Sequence, residues 1–253
     1  MLIERIRATQ PMVLNYANTV TQQRVADSIS MLGGSPLMTQ ALPEIEELVA
    51  ASQAVVINLG TWNAAGMELM LQLGKSANAQ GVPVVLDPVG VGLPQRSQMV
   101  QQLLQAVQFT VIRGNAAEIA WFAQVKGQGK GIDAAQDVAV DGTIAQQASE
   151  RTGAVILQSG PVDVIADRDH WVTQTRSNPM LAQNVGMGDV LSSLTGCFLA
   201  VAEDSFQAAV AAAQCMAVAG ARASQRIGQH PGQLPACLLD ELSWIDDAAL
   251  DLD

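Results

Sequence analysis

The chain has 253 residues, 49% of them hydrophobic and only 15% charged, which is enough to bury one large core and argues against a disordered chain. Its formal net charge of −11 repels nucleic acid and anionic membranes, so a nucleotide ligand would need a local cation or a divalent metal to offset that field. The three cysteines, Cys197, Cys215 and Cys237, form no paired motif, which fits reduced buried thiols in a cytoplasmic protein and not a disulfide framework.

Residues 1–15 mix charges with apolar residues and lack a signal-peptide core. Residues 11–14 read as a short buried strand, and 19–32 have helical spacing that stops at Gly33 and Gly34. Residues 35–38 form a brief extended piece, and 43–50 a helix with Pro43 at its start and glutamates in its early turns. Strands are expected over 54–59, 82–86, 109–112 and 154–158. Helices are expected over 63–80, 95–107, from about 116 onward, and over 138–152, with a glycine-rich loop at 126–131. Residues 162–166 and 170–174 read as an antiparallel hairpin at the sheet edge, and helices follow over 189–201, 205–226 and 234–245. The longest apolar windows, 190–202 and 208–221, are too short or too Ala-rich to span a bilayer. Strands that are apolar throughout and alternate with helices imply an α/β fold, a mostly parallel central sheet covered by helices on both faces. No linker or repeat interrupts residues 1–253, so a single domain is expected.

Ligands of such sheets bind at the carboxyl ends of the strands. Asn15, Asn18, Asn58, Thr61, Asp87, Arg113, Asn115, Glu118 and Ser159 all fall there. Asp87 and Glu118 could hold a hydrated Mg²⁺. Arg113 could bind phosphate oxygens, or simply pair with Asp87 or Glu118. Gly186, Met187, Gly188 and Asp189 open a long apolar helix. Asp189 there is either a helix N-cap beside a glycine turn or a base that takes a proton from a hydroxyl attacking a phosphoryl group. There is no GxxxxGK[ST], no GxGxxG after the first strand, and no GxSxG with a paired histidine, which excludes P-loop, dinucleotide and serine-hydrolase readings.

The blocks Asn15-Tyr16-Ala17-Asn18, Gly34-Ser35-Pro36-Leu37-Met38, Asn58-Leu59-Gly60-Thr61, Gly74-Lys75-Ser76-Ala77-Asn78, Asp87-Pro88-Val89-Gly90, Arg113-Gly114-Asn115-Ala116-Ala117-Glu118 and Gly186-Met187-Gly188-Asp189 occur in this order. Together they resemble the hydroxyethylthiazole kinases of the ribokinase-like superfamily, over about residues 10–225. The resemblance implies ATP- and Mg²⁺-dependent phosphorylation of the hydroxyl of 4-methyl-5-(2-hydroxyethyl)thiazole, in thiamine synthesis or salvage, by a homotrimer that binds the thiazole between subunits. It implies Asp189 as general base, Met38, Asn18 and Gly186 at the substrate, and Arg113 and Ser159 at ATP. It further implies Asp87 and Glu118 near the metal, and Gly186, Met187 and Gly188 in an anion hole. Typical members carry Cys at the position of Asp189, Ala at Met187, Thr at Val185 and Thr at Ser159. Asp189 restores the carboxylate base of the wider superfamily. Met187 is expected to add bulk beside the acceptor, and Val185 to remove a hydroxyl. The alternatives are an ATP- or ADP-dependent NAD(P)H-hydrate dehydratase, a kinase for another small alcohol such as hydroxymethylpyrimidine, or a non-catalytic nucleotide binder.

Overall fold

The computed structural model describes residues 1–125, 141–174 and 178–250. The glycine-rich stretch 126–131 and the start of the helix expected over 138–152 lie outside them. The described strands are β1 (Met12–Tyr16), β2 (Ser35–Met38), β3 (Ala54–Asn58), β4 (Val84–Asp87), β5 (Val111–Asn115), β6 (Val155–Ser159), β7 (Asp163–Ala166) and β8 (Trp171–Gln174). They form one sheet in the order β2-β1-β3-β4-β5-β6-β7-β8. β2 through β6 are parallel, and β7 and β8 add antiparallel at one edge, as the hairpin pattern implied.

Each central strand carries an apolar run buried on both faces, whose residues alternate between two cores, and turns polar at its carboxyl end. Val13, Val56, Val85, Val111 and Leu157 join one cluster with helices α1 (Leu2–Thr9), α2 (Gln22–Leu32), α9 (Met187–Leu199), α10 (Ser205–Ile227) and α11 (Leu234–Trp244). Leu14, Val55, Ile57, Leu86 and Ile112 join the other, with α3 (Ile45–Ala51), α4 (Ala64–Ala79), α5 (Pro94–Ala106), α6 (Ala116–Ala123) and α7 (Thr143–Thr152). This is the ribokinase-like arrangement. Among the described residues, no helix is long and apolar enough to cross a membrane.

Several elements differ from the sequence pattern. α1 was not visible in it, because the helix buries only Ile3 and Ile6 and its first N–H groups are held by a distant partner. The Asp247 carboxylate accepts from the Ile3 and Glu4 N–H groups, 2.9 Å each. β5 runs on to Asn115, since the polar Arg113-Gly114-Asn115 still pairs in register with Leu157-Gln158-Ser159 of β6. Residues Leu42–Glu44 form a 3-10 turn ahead of α3, and the short α8 (Pro179–Ala182) is opened by Asn178, whose side chain accepts from the Met180 N–H. α9 begins at Met187, two residues earlier than expected.

α9 sets the position of the site. Val190, Leu191, Leu194 and Phe198 are essentially buried, and burying each such side chain is worth about 1.5–3 kcal/mol. Gly196 lets the helix lie against the sheet: a Cβ there would stand 2.9 Å from Val13 and 3.0 Å from Val56 side-chain carbons. The buried alanines of α10, among them Ala208, Ala212 and Ala219, cover its other side. α9 is thus fixed over β1 and β3, with its first turn at their carboxyl ends.

Candidate active site

The chain enters α9 through Gly186, which has φ +88 and ψ 3. A side chain there would be strained by the backbone alone, and a Cβ would also come within 2.4 Å of Thr21 Cγ2. Gly186 is therefore the residue that opens the helix. Asp189 is the third residue of the helix, so the reading of Asp189 as the N-cap is corrected. The left-handed glycine makes the turn and leaves the acid free to point elsewhere. Met187, expected beside the acceptor, is 6% exposed and packs into the hydrophobic cluster under α9; Val185 is 71% exposed at the rim. The Arg24 guanidinium donates to the Val185 carbonyl and pins the turn from the side of α2.

Asp189 is 9% exposed and accepts three hydrogen bonds from uncharged groups. Its Oδ1 accepts from Asn58 Nδ2 at 3.0 Å. Its Oδ2 accepts from Thr21 Oγ1 at 2.5 Å and Asn18 Nδ2 at 3.2 Å. Both amides are oriented by the backbone. Asn58 Oδ1 accepts from the Gly60 N–H (2.7 Å), and Asn18 Oδ1 from the Val20 N–H (3.1 Å), so each NH₂ faces the carboxylate.

One helical turn deeper, α9 continues this polar face with Ser192 and Ser193, spaced three and four residues from Asp189. Ser193 donates to Asn15 Oδ1 (3.1 Å). Ser192 donates to Asp87 Oδ2 (2.7 Å) at the end of β4, where Asp87 is fully buried and paired in register with Asn58. Burial pushes the Asp87 carboxyl up to about 7; Arg113 opposes that, Asp189 adds to it, Ser192 opposes it, and Glu118 adds to it.

Arg113, on β5, lies across this ledge. Its Nη1 is 3.5 Å from Asp87 Oδ2, and its Nη2 donates to Ser159 Oγ on β6. The pairing with Asp87 is thus present, but it leaves the guanidinium pressed on the first turn of α9. A Cβ at Gly188 would stand 2.3 Å from Nη1, so any side chain there would push the end of Arg113 aside. Arg113 Nε and Asp87 Oδ1 are both buried without a hydrogen-bond partner, one donor and one acceptor held ready at the same ledge.

Glu118 is anchored by the backbone. Its Oε2 accepts from the Asn115 N–H (2.9 Å), while Asn115 caps α6 by accepting from the Glu118 N–H (3.0 Å), a reciprocal capping box. Its Oε1 accepts from the Gly90 N–H (2.9 Å), which ties the loop after Asp87 to α6. Met38 stands half-buried at the end of edge strand β2, opposite Asn15. Among the described residues, no group of three His, Cys, Asp or Glu could hold a metal alone. The unpartnered Asp87 Oδ1 suits Mg²⁺ shared with phosphate oxygens, since that ion is commonly held by one or two carboxylates plus its substrate.

The structure therefore gathers Asn18, Asn58, Asp87, Arg113, Ser159 and the 186–189 turn at one end of the sheet. Sequence reasoning missed Thr21, Ser192, Arg24 and Asp163. Thr21 was counted as one residue of a helix, although a hydroxyl at a helix entrance is a signal in itself. The spacing of Ser192 from Asp189 could have placed it. Asp163, whose Oδ1 accepts from the Gly160 N–H (2.9 Å), is pushed up to about 6 by burial, against the pull of that N–H and of Arg113. Nothing in its local pattern marks it.

Comparison with known proteins extends this picture over the whole chain. Residues 3–248 match the model of the hydroxyethylthiazole kinase family. Hydroxyethylthiazole kinase of Lactococcus lactis subsp. cremoris is 43% identical over 241 residues, 95% of this chain and 96% of that protein. The enzyme of that name from Leuconostoc citreum is 43% identical over 251 residues, 99% of this chain and 96% of that protein. A solved hydroxyethylthiazole kinase from Pyrococcus horikoshii superposes with a TM-score of 0.87 at 26% identity, covering 98% of this chain and 93% of that one. A Bacillus subtilis pyridoxal kinase, solved as an ADP complex, superposes with a TM-score of 0.59 at 15% identity, covering 83% and 91%, and so shares the fold. These matches do not favour the dehydratase or pyrimidine-kinase alternatives. Because the likeness runs through every strand that carries a site residue, the chain belongs to the hydroxyethylthiazole kinase family.

Proposed function

We propose that this kinase transfers the γ-phosphoryl group of ATP to the hydroxyl of 4-methyl-5-(2-hydroxyethyl)thiazole, for thiamine synthesis or salvage. The observation that carries the reading is Asp189, held by three neutral donors in the first turn of α9 directly beside the Arg113–Gly188 contact. A carboxylate so held can take the proton of an acceptor hydroxyl as its oxygen bonds to phosphorus and the bond to the ADP leaving group breaks. Arg113 and the N–H groups of the Gly186–Asp189 turn gather the charge that develops on the transferring oxygens. Ser159 orients Arg113 and meets the nucleotide. Mg²⁺, when bound, would supply positive charge that offsets the phosphates; Asp87 through Oδ1, with Glu118 nearby, would hold it. The acceptor ring is placed against Met38, Asn18 and Gly186.

A homotrimer with the acceptor enclosed between neighbouring subunits belongs to the same reading. Val20 and Val185, each 71% exposed beside the Asp189 turn, support it as apolar groups that a second subunit would cover. A reaction that consumes ATP fits a cytoplasmic location.

The test is a coupled ADP-release assay with hydroxyethylthiazole, hydroxymethylpyrimidine and ribose in parallel. Release with the thiazole alone, or far faster with it, is expected. Release with another acceptor and none with the thiazole overturns the substrate assignment.

A further inference from the structure

We infer that Thr21 is a positioning residue for the base: with Asn18 it saturates Asp189 Oδ2, so that Oδ1 is the oxygen that receives the proton. The inference rests on Asp189 as the base. Thr21 occupies the N-cap position of α2, where a hydroxyl ordinarily caps its own helix, yet it makes no such bond. It is 4% exposed and turned instead to Asp189 Oδ2 at 2.5 Å. An ionised carboxylate only accepts, so the hydroxyl hydrogen lies on this bond. Asn18 Nδ2 fills the second position on the same oxygen.

Oδ1 accepts from Asn58 Nδ2 alone, which leaves it one unused lone pair among the described residues. The fixed amides prevent Asn18 and Asn58 from offering an oxygen instead. When the acceptor O–H bond breaks, its proton passes to Oδ1, and Oδ2 keeps both donors as a carbonyl-like oxygen. No neighbouring side chain has to turn during transfer, which is the preorganisation that lowers a barrier.

Thr21 has a second task that can be separated from the first. Its methyl group packs on Gly186, where a Cβ would stand 2.4 Å from Cγ2. Thr21→Val keeps that methyl contact and removes the hydroxyl; Thr21→Ser does the reverse. The experiment measures kcat and the KM for ATP in both variants, in Asp189→Asn, and in Thr21→Val combined with Asp189→Asn. Thermal midpoints establish that each variant is folded. Thr21→Val should lower kcat about tenfold at unchanged KM for ATP. Thr21→Ser should recover most of that turnover, and Thr21→Val should add no further loss to Asp189→Asn.

Unchanged kcat in folded Thr21→Val overturns the inference. So does an equal loss in both Thr21 variants, or a full additional loss in the double variant. If Asp189→Asn itself keeps full turnover, the general-base reading fails instead, whatever Thr21 does.

Discussion

Arg113 lies on Gly188 so closely that a methyl group at position 188 would stand 2.3 Å from the guanidinium Nη1. Gly188 is the second residue of α9, with no left-handed backbone requirement, so the glycine answers to its neighbour and not to its own conformation. Gly188→Ala should leave the protein folded with a modestly lower thermal midpoint, because the helix preference of alanine, up to about 1 kcal/mol, only partly offsets the Arg113 bonds it disturbs. The same change displaces the flexible end of Arg113 from Asp87 and Ser159. A charge-assisted hydrogen bond is worth about 1.5–3 kcal/mol, so the KM for ATP should rise about tenfold or more. Paired melting and kinetic measurements check this, and a variant with unaltered KM removes Arg113 from the nucleotide site.

Asp189→Asn tests the chemistry with minimal change of shape. The Asn18 and Asn58 amides stay fixed by their backbone partners, and the Thr21 hydroxyl can turn to the Asn18 carbonyl, 3.3 Å away. The fold should hold at a cost of about 1–2 kcal/mol, because the introduced NH₂ faces the fixed NH₂ of Asn18 or Asn58. Turnover should fall by about 10²–10⁴-fold, the usual contribution of a positioned general base, with little change in the KM for ATP. Steady-state kinetics with hydroxyethylthiazole decide it, and turnover within a few-fold of the parent enzyme removes Asp189 from proton transfer.

The contrast between Asp189 and Thr21 explains how much the sequence could say. Asp189 stands beside two glycines at the start of an apolar helix, so local pattern marks it, and the strand-end carboxylates and Arg113 supply its context. The parallel sheet is legible for a similar reason: β3 and β4 are short, apolar and bounded by turns. Thr21 is marked locally only as a hydroxyl at a helix entrance, and its bond to a residue 168 positions away lies outside that pattern. α1 was hidden in the same way, its cap coming from Asp247. Element starts are decided by backbone geometry, as the left-handed Gly186 shows for α9, and a letter pattern does not encode that angle.

Asp87 should make stability fall as pH rises from about 4 to about 7. Folded Asp87 keeps its proton up to about pH 7, whereas an unfolded aspartate releases it near 3.9. Between those values the folded state binds the extra proton, so unfolding becomes easier with rising pH and levels off above about 7. Asp163, raised to about 6, acts in the same direction over a narrower range. Urea titrations of the ligand-free protein at pH 5 and pH 8 should therefore differ by on the order of 2 kcal/mol more in the parent than in Asp87→Asn. Equal pH slopes in the two proteins rule out a protonated, buried Asp87.

Glu118 joins two structural bonds to a proposed metal role, and a single substitution separates them. Both carboxylate oxygens accept backbone N–H groups, from Gly90 and from Asn115. Glutamine offers one oxygen and one NH₂, so Glu118→Gln leaves one of those N–H groups facing a donor. The loss should be about 1–2 kcal/mol in a urea titration. Removing the charge should also raise the Mg²⁺ concentration needed for half-maximal rate, because the hard cation loses one of its two nearby carboxylates. Both changes together support the proposed site. A variant that unfolds at lower urea yet needs no additional Mg²⁺ confines Glu118 to the capping box and to the loop after β4, and leaves Asp87 as the carboxylate that meets the metal.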